Sequence, residues 1–179
     1  MADERVFIVG YMGAGKSSGG ARLAMAMGWP FADTDQALVE EQGKGIASLF
    51  DSIGESEFRS AEGKMLRRLC SVPGRMVVAT GGGTPCFGDH MDFMLERGTV
   101  VYFKVDKEAL LERLRANRKN RPLIAGMSAK ELSEYVTTHL EEREAFYQRA
   151  HITVDADALD GQRLQSVVRM IQERTGFNP

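Results

Sequence analysis

The stretch GYMGAGKSS, residues 10–18, follows the apolar run VFIVG and leads into ARLAMAMG. Gly10, Gly15, Lys16 and Ser17 complete the pattern G-x-x-x-x-G-K-S, which works only when a strand precedes the loop and a helix follows it. The glycines let the backbone wind so that successive amides converge on phosphate oxygens, and the start of the helix adds partial positive charge. Lys16 suits the β- and γ-phosphates of a nucleotide, and the Ser17 hydroxyl suits Mg²⁺. Gly13, Ala14, Gly15, Lys16, Ser17 and Ser18 are therefore the expected nucleotide-binding residues. A loop of this kind identifies a nucleotide site without identifying a reaction, because switches, motors and small-molecule kinases all use it.

The rest of the chain supports the fold that this loop demands. RVFIV (5–9), RMVVAT (75–80), TVVYFKV (99–105) and HITVD (151–155) are near-continuously apolar, as strands covered on both faces are, and WPFAD (29–33) is a weaker strand candidate. Helical patterns fill the gaps at about 15–27, 35–42, 56–71, 88–96, 107–117, 128–149 and 160–175. This βα alternation predicts an α/β fold with an open parallel sheet between helix layers. A chain of 179 residues with 43% hydrophobic content fits one domain spanning 1–179. Its formal charge of −2 offers no global attraction to nucleic acid or anionic membrane. Cys70 and Cys86 lack metal-site spacing and read as reduced thiols. With no signal-peptide layout and no long apolar run, a cytoplasmic protein without membrane partners is the expectation, and a monomer the default. No guanine-reading NKxD-type stretch is present, which argues against a GTPase.

Several residues around the loop are candidates for chemistry, each with a plainer alternative. Asp33 and Asp35 stand two apart at the end of the second strand, where side chains on extended backbone share a face. One carboxylate would hold Mg²⁺ through water while the other meets an acceptor hydroxyl; alternatively Asp35 only caps the next helix. Arg59 flanks the helical stripe Phe58, Ala61, Met65, Leu66 and Leu69, either as a ligand for an anion or as an i,i+3 partner of Glu62. Gly81, Gly82 and Gly83 follow a core strand at the edge where open α/β sheets bind ligands, and allow close backbone approach; a flexible turn is the alternative. Arg143 lies on the apolar stripe of Leu132, Val136, Leu140 and Tyr147, so its guanidinium must snorkel out or meet an anion, a carboxylate above all, whether a ligand's or a core aspartate's. The basic loop RKNRPLIAGM (118–127) precedes a helix opened by the capping box Ser128-Ala129-Lys130-Glu131, and has the layout of a lid that brings a cation to a transferring phosphoryl group, or of solvated charge.

GYMGAGKSS, DTD, EFR, GGG, RPL and REAFY, in this order and spacing, resemble the shikimate kinase family over nearly the whole chain. The resemblance implies a fold like that of the nucleoside monophosphate kinases, with a five-stranded parallel sheet, a substrate-binding region at about 33–61 and a lid at about 117–128. It implies transfer of the γ-phosphoryl group of ATP to the 3-hydroxyl of shikimate, on the way to chorismate and the aromatic amino acids. Carried over by motif, Lys16 and Ser17 serve the phosphates and Mg²⁺, and Asp33 lies near the metal. Asp35 contacts the acceptor hydroxyl, Arg59 and Arg143 hold the shikimate carboxylate, and Gly81–Gly83 shape that pocket. Arg121, before Pro122 and Leu123, matches the lid arginine that acts on the phosphates, so Asp35, Lys16 and Arg121 form the expected catalytic set. The chain departs from the family pattern at Ser18, where threonine is usual, at GGARLA, where an Ile-Gly pair is usual, and at RPLI for RPLL. The arginine that lies near adenine in the family is offset here, which leaves Arg113 and Arg115. Two rivals stay open at this level: a gluconate-type sugar-acid kinase, and a non-catalytic nucleotide-binding regulator of the same fold.

Overall fold

A computed structural model describes residues 4–117, 122–157 and 159–176. Its elements run β1 (Arg5–Val9), α1 (Lys16–Met27), β2 (Phe31–Asp33), α2 (Thr34–Gln42), α3 (Ile46–Ser71), β3 (Met76–Ala79), α4 (His90–Arg97), β4 (Thr99–Lys104), α5 (Lys107–Ala116), α6 (Ala129–Tyr147), β5 (Ile152–Asp155) and α7 (Gly161–Thr175). The five strands form one parallel sheet in the order β2-β3-β1-β4-β5. β1 is central, with Val6 opposite Val77 on one side and Thr99 on the other, and every one of its residues is buried. β5, at an edge, alternates instead: Ile152 and Val154 are buried while Thr153 and Asp155 face solvent.

Alternation along β4 shows that helices cover both faces of the sheet. The Phe103 ring abuts Gly19 of α1, whereas its neighbour Tyr102 packs on Tyr147 of α6 with ring centroids 5.2 Å apart. Adjacent strand residues point to opposite faces, so α1 and α6 lie on opposite sides of the sheet. α7 joins α1 on its side. Small residues let α1 come close: a Cβ on Gly19 would sit 2.5 Å from Phe103 Cε2 and one on Gly20 would sit 2.9 Å from Phe31 Cε2.

The sequence pattern places the α3 helix from about 56, but the helical run begins ten residues earlier and is broken at Gly54, whose φ of 79° and ψ of 169° no helix interior adopts. The arm before the break, Ile46 to Ile53, has its own apolar stripe at 46, 49, 50 and 53, the i, i+3, i+4, i+7 period of a helix. Glycines at 43, 45 and 54 obscured it. The capping box is present: Ser128 Oγ accepts from Glu131 N–H at 3.3 Å, and Glu131 Oε2 accepts from Ser128 N–H at 2.7 Å. Among the described residues no helix is long and apolar enough to cross a membrane.

Candidate active site

The loop after β1 and the loop after β3 emerge side by side at the carboxyl edge of the sheet. Gly10, Gly13 and Gly15 have φ values of 147°, 84° and 78°, which explains their identity. Gly15 caps α1 through its backbone alone, with no side chain satisfying the first amides of the helix. Lys16 reaches back over the loop and donates to Tyr11 O at 2.9 Å. Ser17 Oγ donates to Asp33 Oδ2 at 2.5 Å, which brings two oxygen ligands of the kind Mg²⁺ takes to one point beside the phosphate loop.

The aspartate pair is built differently from the extended-strand expectation. Asp33 ends β2 and caps α2, its Oδ1 accepting from Asp35 N–H at 2.9 Å and Gln36 N–H at 3.2 Å. Asp35 therefore sits in the first helical turn, and the cap is Asp33 rather than Asp35. Both carboxylates still reach one site, because the Asp35 carboxyl is buried beside Asp33, Glu62, Lys16 and Arg59. Burial, then repulsion from Glu62 and Asp33, pushes Asp35 up to about 7 against the opposing pull of Lys16 and Arg59. Its Oδ1 is buried without a hydrogen-bond partner. Gly81 makes room for it: a Cβ there would lie 2.9 Å from Asp35 Oδ1 and closer still to Glu62 Oε1.

Arg59 and Arg143 enter from opposite helices and are both buried. The Glu62 partnership weighed for Arg59 is real: Nη1 donates to Glu62 Oε2 at 2.7 Å, while Glu62 Oε1 accepts from Thr84 Oγ1 at 2.7 Å. The Arg59 guanidinium also stacks 4.5 Å from the Phe87 ring centroid. Arg143 has no carboxylate partner among the described residues; it lies beside the Tyr147 hydroxyl and 5.9 Å from the Tyr11 ring centroid. Asp35, Arg59, Gly81, Gly82, Gly83 and Arg143 line one cavity of about 590 Å³, together with Met12 of the phosphate loop and Ile46, Phe50 and Phe58 of α3.

A second cavity, about 310 Å³, opens on the other side of the phosphate loop. Gly13, Ala14, Gly15 and Ser18 line it, with Phe103, Leu159 and Arg113. Arg113 donates to Gly13 O at 3.3 Å and to Asp157 O at 3.2 Å, while Arg115 is exposed and outside this cleft. Arg121 lies outside the described residues. The phosphate loop thus forms the wall between a cleft suited to a nucleotide and a cavity holding one unpartnered carboxyl oxygen and two guanidinium groups.

The shikimate kinase family model matches residues 12–173. The chain belongs to the shikimate kinase family. It is 41% identical over 156 residues to a shikimate kinase of Parabacteroides distasonis, covering 87% of this chain and 90% of that one. The crystal structure of shikimate kinase from Bacteroides thetaiotaomicron superposes with a TM-score of 0.86 at 36% identity, covering 97% of this chain and 99% of that one. Shikimate kinase from Acinetobacter baumannii, solved in complex with shikimate, superposes with a TM-score of 0.84 at 30% identity, covering 96% and 94%. A gluconokinase from Sinorhizobium meliloti reaches 0.56 at 18% identity, covering 96% and 95%, a likeness of fold alone. The family assignment therefore favours the shikimate reading over the gluconate-type rival.

Within this shikimate kinase fold, Glu62 lines the cavity, and Thr84 and Tyr147 bond to residues that line it; the sequence pattern offers Glu62 only as a partner of Arg59 and gives Thr84 and Tyr147 no part in the site. Glu62 had a visible signal, its i+3 spacing from Arg59. Thr84 and Tyr147 had none, because a hydroxyl after a glycine run or on an apolar stripe reads as turn or core.

Proposed function

We propose that shikimate occupies the 590 Å³ cavity with its carboxylate between Arg59 and Arg143 and its 3-hydroxyl toward Asp35, and that the nucleotide lies along the other side of the phosphate loop. The family's reaction, ATP-dependent phosphorylation of shikimate to shikimate 3-phosphate and ADP, is the reaction of this chain. The observation that carries the site assignment is the meeting of Asp35 Oδ1, buried and unpartnered, with both arginines in one cavity that abuts the phosphate loop.

The chemistry asks mainly for positioning, because the phosphoryl transition state is loose and charge is spread over its equatorial oxygens. Arg59 and Arg143 fix the acceptor's acid group, which turns the hydroxyl on the far side of its ring toward Asp35. A carboxyl poised near 7 accepts a hydroxyl proton at neutral pH more readily than a fully solvated aspartate would. Lys16 swings from Tyr11 O to the phosphates, and Arg113 closes the nucleobase side. Ser17 and Asp33 would hold Mg²⁺, which, when bound, neutralises charge on the β- and γ-phosphate oxygens. Arg121 would bring the lid's cation, with about 117–128 as the lid and about 33–61 as the acceptor-binding region of a single domain. The protein is read as a cytoplasmic monomer with no nucleic-acid or membrane partner. ADP release coupled to a reporter tests the reading: it is expected to depend on shikimate and not to respond to gluconate. Release that is unchanged by shikimate would remove the assignment.

A further inference from the structure

α6 carries Arg143 and Tyr147 four residues apart, so the two stand one above the other on its buried face. Tyr147 is fully buried, and its ring packs on Tyr102 with centroids 5.2 Å apart. A phenylalanine would fill the same space without the cost of burying a hydroxyl, so the packing alone gives no reason for tyrosine. The hydroxyl is in fact anchored. It donates to Gly82 O at 2.6 Å, and the Arg143 guanidinium and the Cys86 thiol lie against it. Gly82 in turn rests on the phosphate loop: a Cβ there would come 3.1 Å from Met12 N. One oxygen atom therefore touches both the arginine that faces the acceptor cavity and the glycine segment separating that cavity from the phosphates.

The two arginines are braced in chemically different ways. Arg59 is held by the Glu62 carboxylate at 2.7 Å, which positions it but also takes up much of its charge. Arg143 lies against a phenol that burial keeps protonated, since desolvation, the largest influence, raises Tyr147 well above its usual value, and that phenol is itself fixed by its bond to Gly82 O. A neutral brace orients a cation without neutralising it.

We propose that Tyr147 is a positioning residue for the acceptor: its hydroxyl sets the Arg143 guanidinium and the Gly81–Gly83 segment in a fixed relation, leaving Arg143 its full charge for the substrate carboxylate. The inference rests on the reading of Arg143 as a carboxylate ligand. It places acceptor affinity, more than nucleotide affinity, under the control of an atom that touches neither ligand.

Tyr147→Phe, Arg143→Ala and the double variant test it by steady-state kinetics with each substrate varied in turn. Loss of one neutral hydrogen bond predicts that Tyr147→Phe raises KM for shikimate about three- to tenfold. KM for ATP is expected to stay within about twofold, since no ATP contact is assigned to this oxygen. In the double variant the two effects on shikimate KM are expected not to add, because the hydroxyl acts through Arg143. Unchanged shikimate KM in Tyr147→Phe, with Arg143→Ala impaired, overturns the positioning role and leaves the carboxylate reading standing; fully additive effects do the same. An Arg143→Ala variant with normal shikimate KM overturns the carboxylate reading and this inference together. If Tyr147→Phe folds incompletely, KM still reports on the active fraction alone, and assays at low temperature keep that fraction measurable.

Discussion

Replacing Asp35 by asparagine separates what the residue does for stability from what it does for turnover. Asp35 is pushed up from 3.8 to about 7 in the folded protein, first by burial and then by Glu62 and Asp33. A carboxyl raised on folding stabilises the native state while it is protonated, so its contribution is full below about pH 4 and is lost as pH rises through 7. Between pH 5 and pH 8.5 the wild-type protein therefore gives up about 3 kcal/mol through this one group, at 1.36 kcal/mol per unit up to its folded value. Asparagine has nearly the same shape and carries no charge at either pH. Relative to wild type, Asp35→Asn is expected to gain about 3 kcal/mol between pH 5 and pH 8.5, which for a domain of this size corresponds to roughly 6–10 °C in Tm. Turnover is expected to fall by orders of magnitude while nucleotide binding persists. Paired thermal melts at the two pH values measure the first effect and a coupled ADP assay the second. A difference in Tm that does not change with pH would show that Asp35 ionises as an ordinary surface carboxylate, and the proposed base would lose its physical basis.

The same group predicts an acid limb in kcat/KM for shikimate: below about pH 7 Asp35 binds a proton, and activity is expected to fall with a slope approaching one. A flat profile from pH 6 to 8 would contradict this. Arg113→Ala is expected to raise KM for ATP several-fold, whereas Arg115→Ala, outside the cleft, should leave it near wild type; equal effects would return the choice between them to open. At Gly19 two effects oppose: alanine gains up to about 1 kcal/mol of helix propensity but forces a methyl group against Phe103, costing about 1–3 kcal/mol. Gly19→Ala is therefore expected to destabilise in chemical denaturation, and Phe103→Leu in the same chain to recover much of the loss. Additive losses would mean that the two side chains do not share the space.

The phosphate loop, the five strands (the short β2 only as a weaker candidate) and most helices were legible because each depends on local pattern: glycine spacing, apolar runs and the 3.6-residue period. The arm Ile46 to Ile53 was missed although its stripe was intact, because flanking glycines read as loop. Position in sequence also misled at Asp35, where spacing of two was read as extended backbone, while the strand ended at Asp33 and the helix began at once. Arg143 was legible as an anomaly, a cation on an apolar stripe, and its lack of a carboxylate among the described residues is what the core-aspartate alternative did not anticipate. The bonds from Tyr147 to Gly82 and from Thr84 to Glu62 join segments distant in the chain, and no local pattern encodes such meetings.

The central place of β1 has a consequence for how the protein is made. This strand comes before both of its neighbours in the chain, yet it cannot be enclosed until Met76–Ala79 and Thr99–Lys104 have been synthesised. Non-local parallel pairing of this kind is slow to form, and meanwhile VFIV is an uncharged, β-prone run with open edges. The phosphate loop hangs on the end of that strand. Its glycines are free to take many conformations until the strand is held, so a chain long enough to contain the motif but not β3 and β4 is expected to lack a formed nucleotide site.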